Sequence, residues 1–294
     1  MHMSVVIPVK NRPVVLKRAI ESALSQTLPP LEIIVVDDGS TDETPQVVEE
    51  LAAADNRIRL IRHDQSTGAP RARNTGAAAS TGDAIAFLDS DDRWKETKLA
   101  KQVALLEAHP HSPAVFTGFE FHYPSKPIRV SRTPALVERR DLFGRNILGG
   151  TSSAVVRRTA FTATGGFLPD MPSCQDWEFW LRLAELGPLR CVTEPLVEYH
   201  FDGSSRISKN RGNVEAGHRR IFQLVHESIT DSREAVKVEA LQAIRMAEIY
   251  AKQCPDPMAS LRSAFRAVRL DQQPRTIYRA IKAISNIAVY AVLK

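Results

Sequence analysis

Four short apolar runs, Ser4 to Val9 (SVVIPV), Glu32 to Val36 (EIIVV), Ile58 to Arg62 (IRLIR) and Ala84 to Leu88 (AIAFL), constrain the fold of this chain more than any other feature. Each is short, and the first two are mostly β-branched, so each reads as a strand. Between the first two, Leu16, Ala19, Ile20, Ala23 and Leu24 recur at helical spacing, and further helices are predicted around Thr44 to Ala53 and Pro70 to Ser80. Apolar strands alternating with helices predict an α/β fold: a mostly parallel sheet covered on both faces, with right-handed crossovers. Ligands of such sheets gather outside the carboxyl ends of the strands. Three loops are therefore expected to converge: KNRP after Val9, DDGSTD after Val36 and DSDDRW after Leu88.

Downstream, Ala114 to Phe121, Ser152 to Val156 and Cys191 to Tyr199 read as strands, and helices are predicted from near Lys95 and over Gln175 to Leu186. From about Asn213 the pattern is helical throughout. In its last segment Ile277, Ile281, Ile284 and Ala288 share one face, opposite Arg279, Lys282 and Asn286. The expected organisation is a domain over 1–212, made of halves 1–110 and 111–212, followed by a helical region over 213–294.

The strand ends carry the chemistry. Asp89, Asp91 and Asp92 lie within four positions, and three carboxylates so close raise one another's pKa unless a cation or hydrogen-bond donors compensate. A hard divalent ion, Mg²⁺ or Mn²⁺, suits Asp89-Ser90-Asp91; an acidic turn capping the next helix is the plainer reading. Asp37-Asp38 can likewise cap a helix, with Gly39 making the turn, or accept hydrogen bonds from a base or ribose. In STGAPRARNTG, Ser66 to Gly76, the cations Arg71 and Arg73 begin a helix whose free N–H groups suit a diphosphate, or they simply face solvent.

The chain has no G-x-G-x-x-G after its first strand and no G-x-x-x-x-G-K-[ST], which argues against a dinucleotide dehydrogenase and a P-loop NTPase. Instead, SVVIPVKNR, SALSQTLPPLEIIVVDDGSTDET and GAPRARNTGAAASTGDAIAFLDSDD, in that order, resemble the N-terminal half of glycosyltransferase family 2, inverting enzymes of GT-A fold. GGFLPDMPSCQDWEFWLRLAELG, Gly165 to Gly187, is similar to the family's second signature, with Gln175 where a Glu is usual.

The resemblance implies Asp176 as the catalytic base. It implies Pro8, Val9, Arg12, Asp38, Arg71, Asp89 and Ser90 at the nucleotide-sugar, and Asp91 with Asp89 and His200 at Mg²⁺ or Mn²⁺. Gly166, Gln175 and Trp177 are candidates for the acceptor side, although core packing is the ordinary role of Trp177 and Trp180 at their spacing. EYHFDGSSRIS, Glu198 to Ser208, is similar to a segment that closes over the donor and adds Arg206 as a phosphate candidate. The implied activity is transfer of a sugar from a nucleotide-diphosphate donor, UDP in the leading case, to a glycan or lipid-linked hydroxyl in cell-surface polysaccharide synthesis. No nucleic-acid partner is implied. A sugar nucleotidylyltransferase and a non-catalytic nucleotide-sugar-binding protein are the rival readings.

Charge and cysteines bear on location. No run reaches the roughly 18 apolar residues of a membrane span, and Cys174, Cys191 and Cys254 show neither C-x-x-C spacing nor an even count. A cytoplasmic protein is expected. Residues 205–294 hold 16 Lys and Arg against 8 Asp and Glu, whereas the rest holds 23 against 26. The basic helical region can pack on the catalytic domain, join subunits or touch the inner face of a membrane.

Overall fold

The computed structural model of the chain describes residues 1–201 and 210–292, with side chains as far as residue 285. Its elements in chain order are β1 (Met3–Val9), α1 (Pro13–Leu24), β2 (Glu32–Asp37), α2 (Thr44–Ala54), β3 (Ile58–Arg62), α3 (Ala69–Ala79), β4 (Ala84–Phe87), β5 (Arg93–Trp94) and α4 (Lys98–Ala108). There follow β6 (Ala114–Tyr123), β7 (Lys126–Ser131), β8 (Leu136–Val137), β9 (Val155–Arg157), α5 (Arg158–Thr164), α6 (Gln175–Leu186) and β10 (Leu189–His200). The helices α7 (Arg211–Glu227), α8 (Ser232–Lys252), α9 (Pro257–Leu270) and α10 (Pro274–Val292) complete the chain.

The strands form one sheet of order β3-β2-β1-β4-β9-β6-β10-β5, with β7 beside β6 and β8 beside β10. β3, β2, β1 and β4 run parallel, as their continuous apolar character predicts. Beyond β4 the sheet is mixed: β9 is antiparallel to β4 and β6, and β10 is parallel to β6.

Successive residues of a strand point to opposite faces, and both faces here are covered. Val5, Ile7 and Val9 share a core with Leu16 and Ile20 of α1 and with Leu99 and Val103 of α4, while Ile34 and Val36 meet Ala72 of α3. Fully burying one such side chain contributes about 1.5–3 kcal/mol. α3 lies so close to β1 that a Cβ on Gly76 would stand 2.4 Å from Val6 Cγ1, so this position requires glycine.

Two sequence expectations change here. The helix expected from near Lys95 begins at Lys98, because Arg93 and Trp94 are drawn into β5 by antiparallel pairing with Val197 and Glu198. The strand expected over Ser152 to Val156 starts only at Val155, since Thr151–Ser153 forms a 3₁₀ turn.

The chain divides into two compact units: residues 1–139, 147–170 and 178–204 form one, and residues 140–146, 171–177 and 205–294 the other. The helical unit thus includes two short segments that precede the expected boundary at 212. Within it Ala243, Ile244 and Ala247 of α8 pack with Ala264 and Ala267 of α9 and Ala280 and Ala283 of α10. Close contact among three helices selects small residues. Of the face predicted for α10, Ile284 packs against this core but Ile277 and Ile281 are exposed. Among the described residues no helix is long and apolar enough to cross a membrane.

Candidate active site

The carboxyl ends of the neighbouring parallel strands β2, β1 and β4 place three loops on one edge of the sheet. The KNRP and DDGSTD loops are stitched together. Asn11, at φ 51°, donates its N–H to Ser40 Oγ at 2.9 Å and accepts from Thr41 N at 2.9 Å; Arg12 N donates to Thr44 Oγ1 at 2.9 Å. Pro8 and Val9 are buried in β1, and the carbonyl of Val9 accepts from Asp38 N at 2.8 Å.

Asp38 is surrounded by its own protein. Its Oδ1 accepts from Thr67 N (2.8 Å), Thr67 Oγ1 (2.9 Å) and His63 Nδ1 (2.9 Å), and its Oδ2 from Ser66 Oγ (2.7 Å) and Gly68 N (2.8 Å). With Nδ1 of His63 donating, Nε2 accepts from Thr75 Oγ1 at 3.0 Å. A carboxylate offers about four lone-pair sites, so these donors saturate it. Burial pushes the Asp38 pKa up, but the donors led by Thr67 N outweigh it and hold the carboxyl well below the ordinary range. As it stands, Asp38 organises the 63–68 loop, and a base would have to share or displace its donors.

The acidic end of β4 is built differently. Arg73 of α3 reaches Asp89 Oδ1 at 2.6 Å, Thr151 Oγ1 donates to the same oxygen at 2.9 Å, and Arg12 pairs with Asp91 Oδ2 at 2.6 Å. Arg18 donates to the Asp91 carbonyl at 2.6 Å. Burial raises the Asp89 pKa, yet the Arg73 charge and hydrogen bond prevail and lower it overall. The Asp89 and Asp91 side chains remain 30% and 14% exposed.

Ser152, from the 3₁₀ turn, accepts from Asp89 N at 3.0 Å and donates to Asp92 Oδ2 at 2.5 Å. Asp92 therefore braces the turn rather than facing a ligand or capping α4. Ser90 is buried in the turn that the Asp92 N–H closes on the Asp89 carbonyl at 3.0 Å. Arg71, expected near the nucleotide, is exposed and meets Asp170 at 3.7 Å; Arg73, two positions on, is the α3 cation that reaches the acidic cluster. Helical phase decides between them.

His200 also has partners of its own. Its Nε2 lies 3.3 Å from Glu198 Oε2, and its ring stacks on His122 with centroids 4.9 Å apart. The parallel register of β6 and β10 pairs Glu120 with Glu198 and His122 with His200. Burial and then the nearby Arg18 charge depress the His200 pKa. Ligand atoms of His122, Glu198 and His200 lie within 4.8 Å of one another. Arg93 approaches Glu198 at 3.3 Å, so the protein itself supplies a countercharge. A cavity of about 190 Å³ opens there, lined by Arg18, His122, Tyr123, Pro124, His200 and Phe201. Arg206 lies outside the described residues.

The second signature divides between packing and chemistry. Asp176, in the first turn of α6, accepts from Asn146 Nδ2 at 3.0 Å and from Trp177 N at 2.8 Å. Gln175 donates to the Met171 carbonyl at 3.2 Å. Trp177 is 2% exposed and donates Nε1–H to the Leu142 carbonyl at 2.8 Å, so its ring offers no face for a sugar to stack on. Gly166, at φ 76°, forms a turn: its carbonyl accepts from Arg182 NH2 at 2.7 Å, and a Cβ there would stand 2.7 Å from Asn74 Oδ1. That glycine shapes the backbone.

His63, Thr151 and His122 carry no signal in the sequence, and Ser152 enters there only as the start of a predicted strand. Ser66, Thr67 and Thr75 lie inside the quoted STGAPRARNTG run.

The model of the family described as "Glycosyl transferase family 2" matches residues 4–163. The chain belongs to this family. Family membership sets aside the nucleotidylyltransferase reading. This family 2 glycosyltransferase is 30% identical over 213 residues to the putative teichuronic acid biosynthesis glycosyltransferase TuaG of Bacillus subtilis, covering 71% of this chain and 82% of that protein. It is 37% identical over 213 residues to the Escherichia coli UDP-Glc:alpha-D-GlcNAc-diphosphoundecaprenol beta-1,3-glucosyltransferase WfaP, covering 71% and 80%. Its fold is that of S. aureus TarS, solved with UDP-GlcNAc, at a TM-score of 0.70 and 17% identity over 98% of this chain and 89% of that one. That neighbour confirms the GT-A architecture.

Proposed function

We propose that this glycosyltransferase moves one sugar, with inversion, from a UDP-sugar to a hydroxyl of a lipid-linked or glycan acceptor during cell-surface polysaccharide synthesis on the cytoplasmic side. The observation that carries the reading is the arginine-held carboxylate pair Asp89 and Asp91 at the end of β4, half-buried on the loop edge. The names of the E. coli and Bacillus relatives and the UDP-GlcNAc bound to TarS support the choice of donor and acceptor class.

The donor set fits a hard divalent ion. Two carboxylates on one loop suit Mg²⁺ or Mn²⁺ beside diphosphate oxygens, and Arg12 and Arg73, now 2.6 Å from them, would turn to the phosphates as the ion takes their place. Asp91, with Asp89, would hold it, and the ion would supply Lewis-acid stabilisation to the departing diphosphate. A mannosyltransferase of the same fold from Pyrobaculum calidifontis, 21% identical at a TM-score of 0.58 over 98% of this chain and 86% of that one, was solved with GDP-Man and Mn²⁺. Arg12 and Arg73 supply guanidinium donors suited to phosphate oxygens.

A sugar hydroxyl is too weak a nucleophile to attack unaided, so a carboxylate must accept its proton as the bond forms. Asp176 takes this role. The Asn146 amide, donating to Asp176 Oδ2 at 3.0 Å, orients the carboxylate. The test is Asp176→Asn with a UDP-sugar and a polyprenyl-diphosphate-linked saccharide. UDP release is expected to fall by about 10²–10⁴-fold, with donor affinity by calorimetry retained. Turnover equal to wild type would remove Asp176 from the mechanism.

A further inference from the structure

The helical unit shows large apolar side chains where solvent-facing helices ordinarily show polar ones. Phe265 and Met258 of α9 are 68% and 61% exposed, and Tyr278 and Ile281 of α10 are 64% and 60% exposed. These helices pack through their alanines instead, Ala264 and Ala267 against Ala280 and Ala283. Scattered exposed apolar residues are common; here they follow helical spacing and are interleaved with charge of one sign.

On α9 the exposed positions Met258, Arg262, Phe265 and Arg269 recur every three or four residues, with Arg266, which pairs with Glu239 of α8, beside Phe265; on α10 Arg275, Tyr278 and Ile281 recur every three, with Lys282 beside Ile281. Neither helix contains an Asp or Glu. A face with aromatic and aliphatic side chains among Arg and Lys is the composition of a helix lying in a lipid interface, where apolar groups enter the acyl boundary and cationic heads stay at the phosphates. Two copies of this chain meeting through the same face would bring arginines against arginines, so charge disfavours self-association.

We propose that the exposed faces of α9 and α10 dock on an anionic lipid surface. This deepens the reading of a lipid-linked acceptor, because a lipid carrier confines the acceptor to such a surface.

The experiment is co-sedimentation of the full chain with vesicles of phosphatidylcholine alone and of phosphatidylcholine mixed with phosphatidylglycerol, without donor or acceptor. Binding is expected on the mixed vesicles only, and high salt should reverse it. Phe265→Ser with Ile281→Ser, and separately Arg269→Glu with Arg275→Glu, should each lower partition by ~10-fold. All four positions are exposed, so melting temperature and turnover on a water-soluble acceptor should stay at wild-type values.

Equal partition on both vesicle types, or variants that bind as wild type does, would overturn the proposal. So would a wild-type dimer in light scattering that these variants dissociate, which would make a second copy the occupant. Vesicle binding without any UDP release on a soluble acceptor would instead leave docking intact and count against the transferase reading alone.

Discussion

The two acidic strand ends of this protein look alike in sequence and differ in construction. At the end of β2, Asp38 is 6% exposed and saturated by donors from one neighbouring loop, three of them hydroxyl or ring groups and two backbone N–H. At the end of β4, Asp89 and Asp91 are more open and held by Arg12 and Arg73, which come from distant segments on long side chains. A carboxylate tied to backbone N–H groups cannot let go without unfolding its loop. One tied to guanidinium groups can exchange them for another cation at little structural cost. The comparison teaches that the first site is built to hold its loop, whereas the second is built to exchange partners, as the proposed role in binding an ion requires.

Asp91→Asn should break the comparison most visibly. Removing the charge that would hold the ion is expected to reduce sugar transfer by on the order of 10²–10³-fold, the several kcal/mol assigned to a Lewis acid. Its melting temperature should stay near wild type, measured by calorimetry beside a UDP-release assay. If the activity survives and the fold does not, the two strand ends have been given each other's roles.

Asp38→Asn should behave in the opposite way. An amide nitrogen would face donors that now point at a carboxylate oxygen, costing about 2–3 kcal/mol and lowering the melting temperature by roughly 5–10 °C. The same site predicts a pH dependence. Its folded pKa is depressed, so the stability it contributes is complete above the ordinary carboxylate value of about 4 and is withdrawn as pH falls toward the folded value. Thermal melts from neutral pH down through that range should show a steeper loss for wild type than for Asp38→Asn. Parallel curves would contradict the burial and bonding described for Asp38.

Gly166→Ala sharpens the contrast between shape and chemistry at smaller amplitude. With φ at 76° and Asn74 Oδ1 2.7 Å from the new Cβ, the cost is expected at about 1–3 kcal/mol. The effect should appear in stability, with the acceptor KM unchanged. A change in KM alone would return Gly166 to the acceptor side.

Much of the first half of the molecule was legible in its sequence, because strand runs buried on both faces leave no choice of face or register to be settled elsewhere. β2, for example, is buried along its whole length and covers the run EIIVV read from the sequence, and the loops after β1, β2 and β4 share an edge as parallel strands require. The failures came where a side chain's direction depends on packing. Arg71 and Arg73 are two apart on α3, which turns them about 200° from each other, and only the contact of α3 with β1 decided which would reach Asp89. Trp177 carried an aromatic signal compatible with sugar stacking, and its burial against Leu142, His218 and Phe222 removed that use. On α10 the isoleucine periodicity was real, but an alanine-lined seam excludes large side chains and turned two of the isoleucines outward.

What the sequence alone determined is the order of strands and helices from β1 to β4, the acidic strand ends, and through them the family; these are local patterns, set by periodicity and by residue type at a strand end. Tertiary structure alone decided which charge meets which: Arg12 with Asp91, Arg73 with Asp89, His63 with Asp38, and His122 with Glu198 and His200. Those pairs lie up to about eighty residues apart in the chain, and no local rule reports a distance that folding creates.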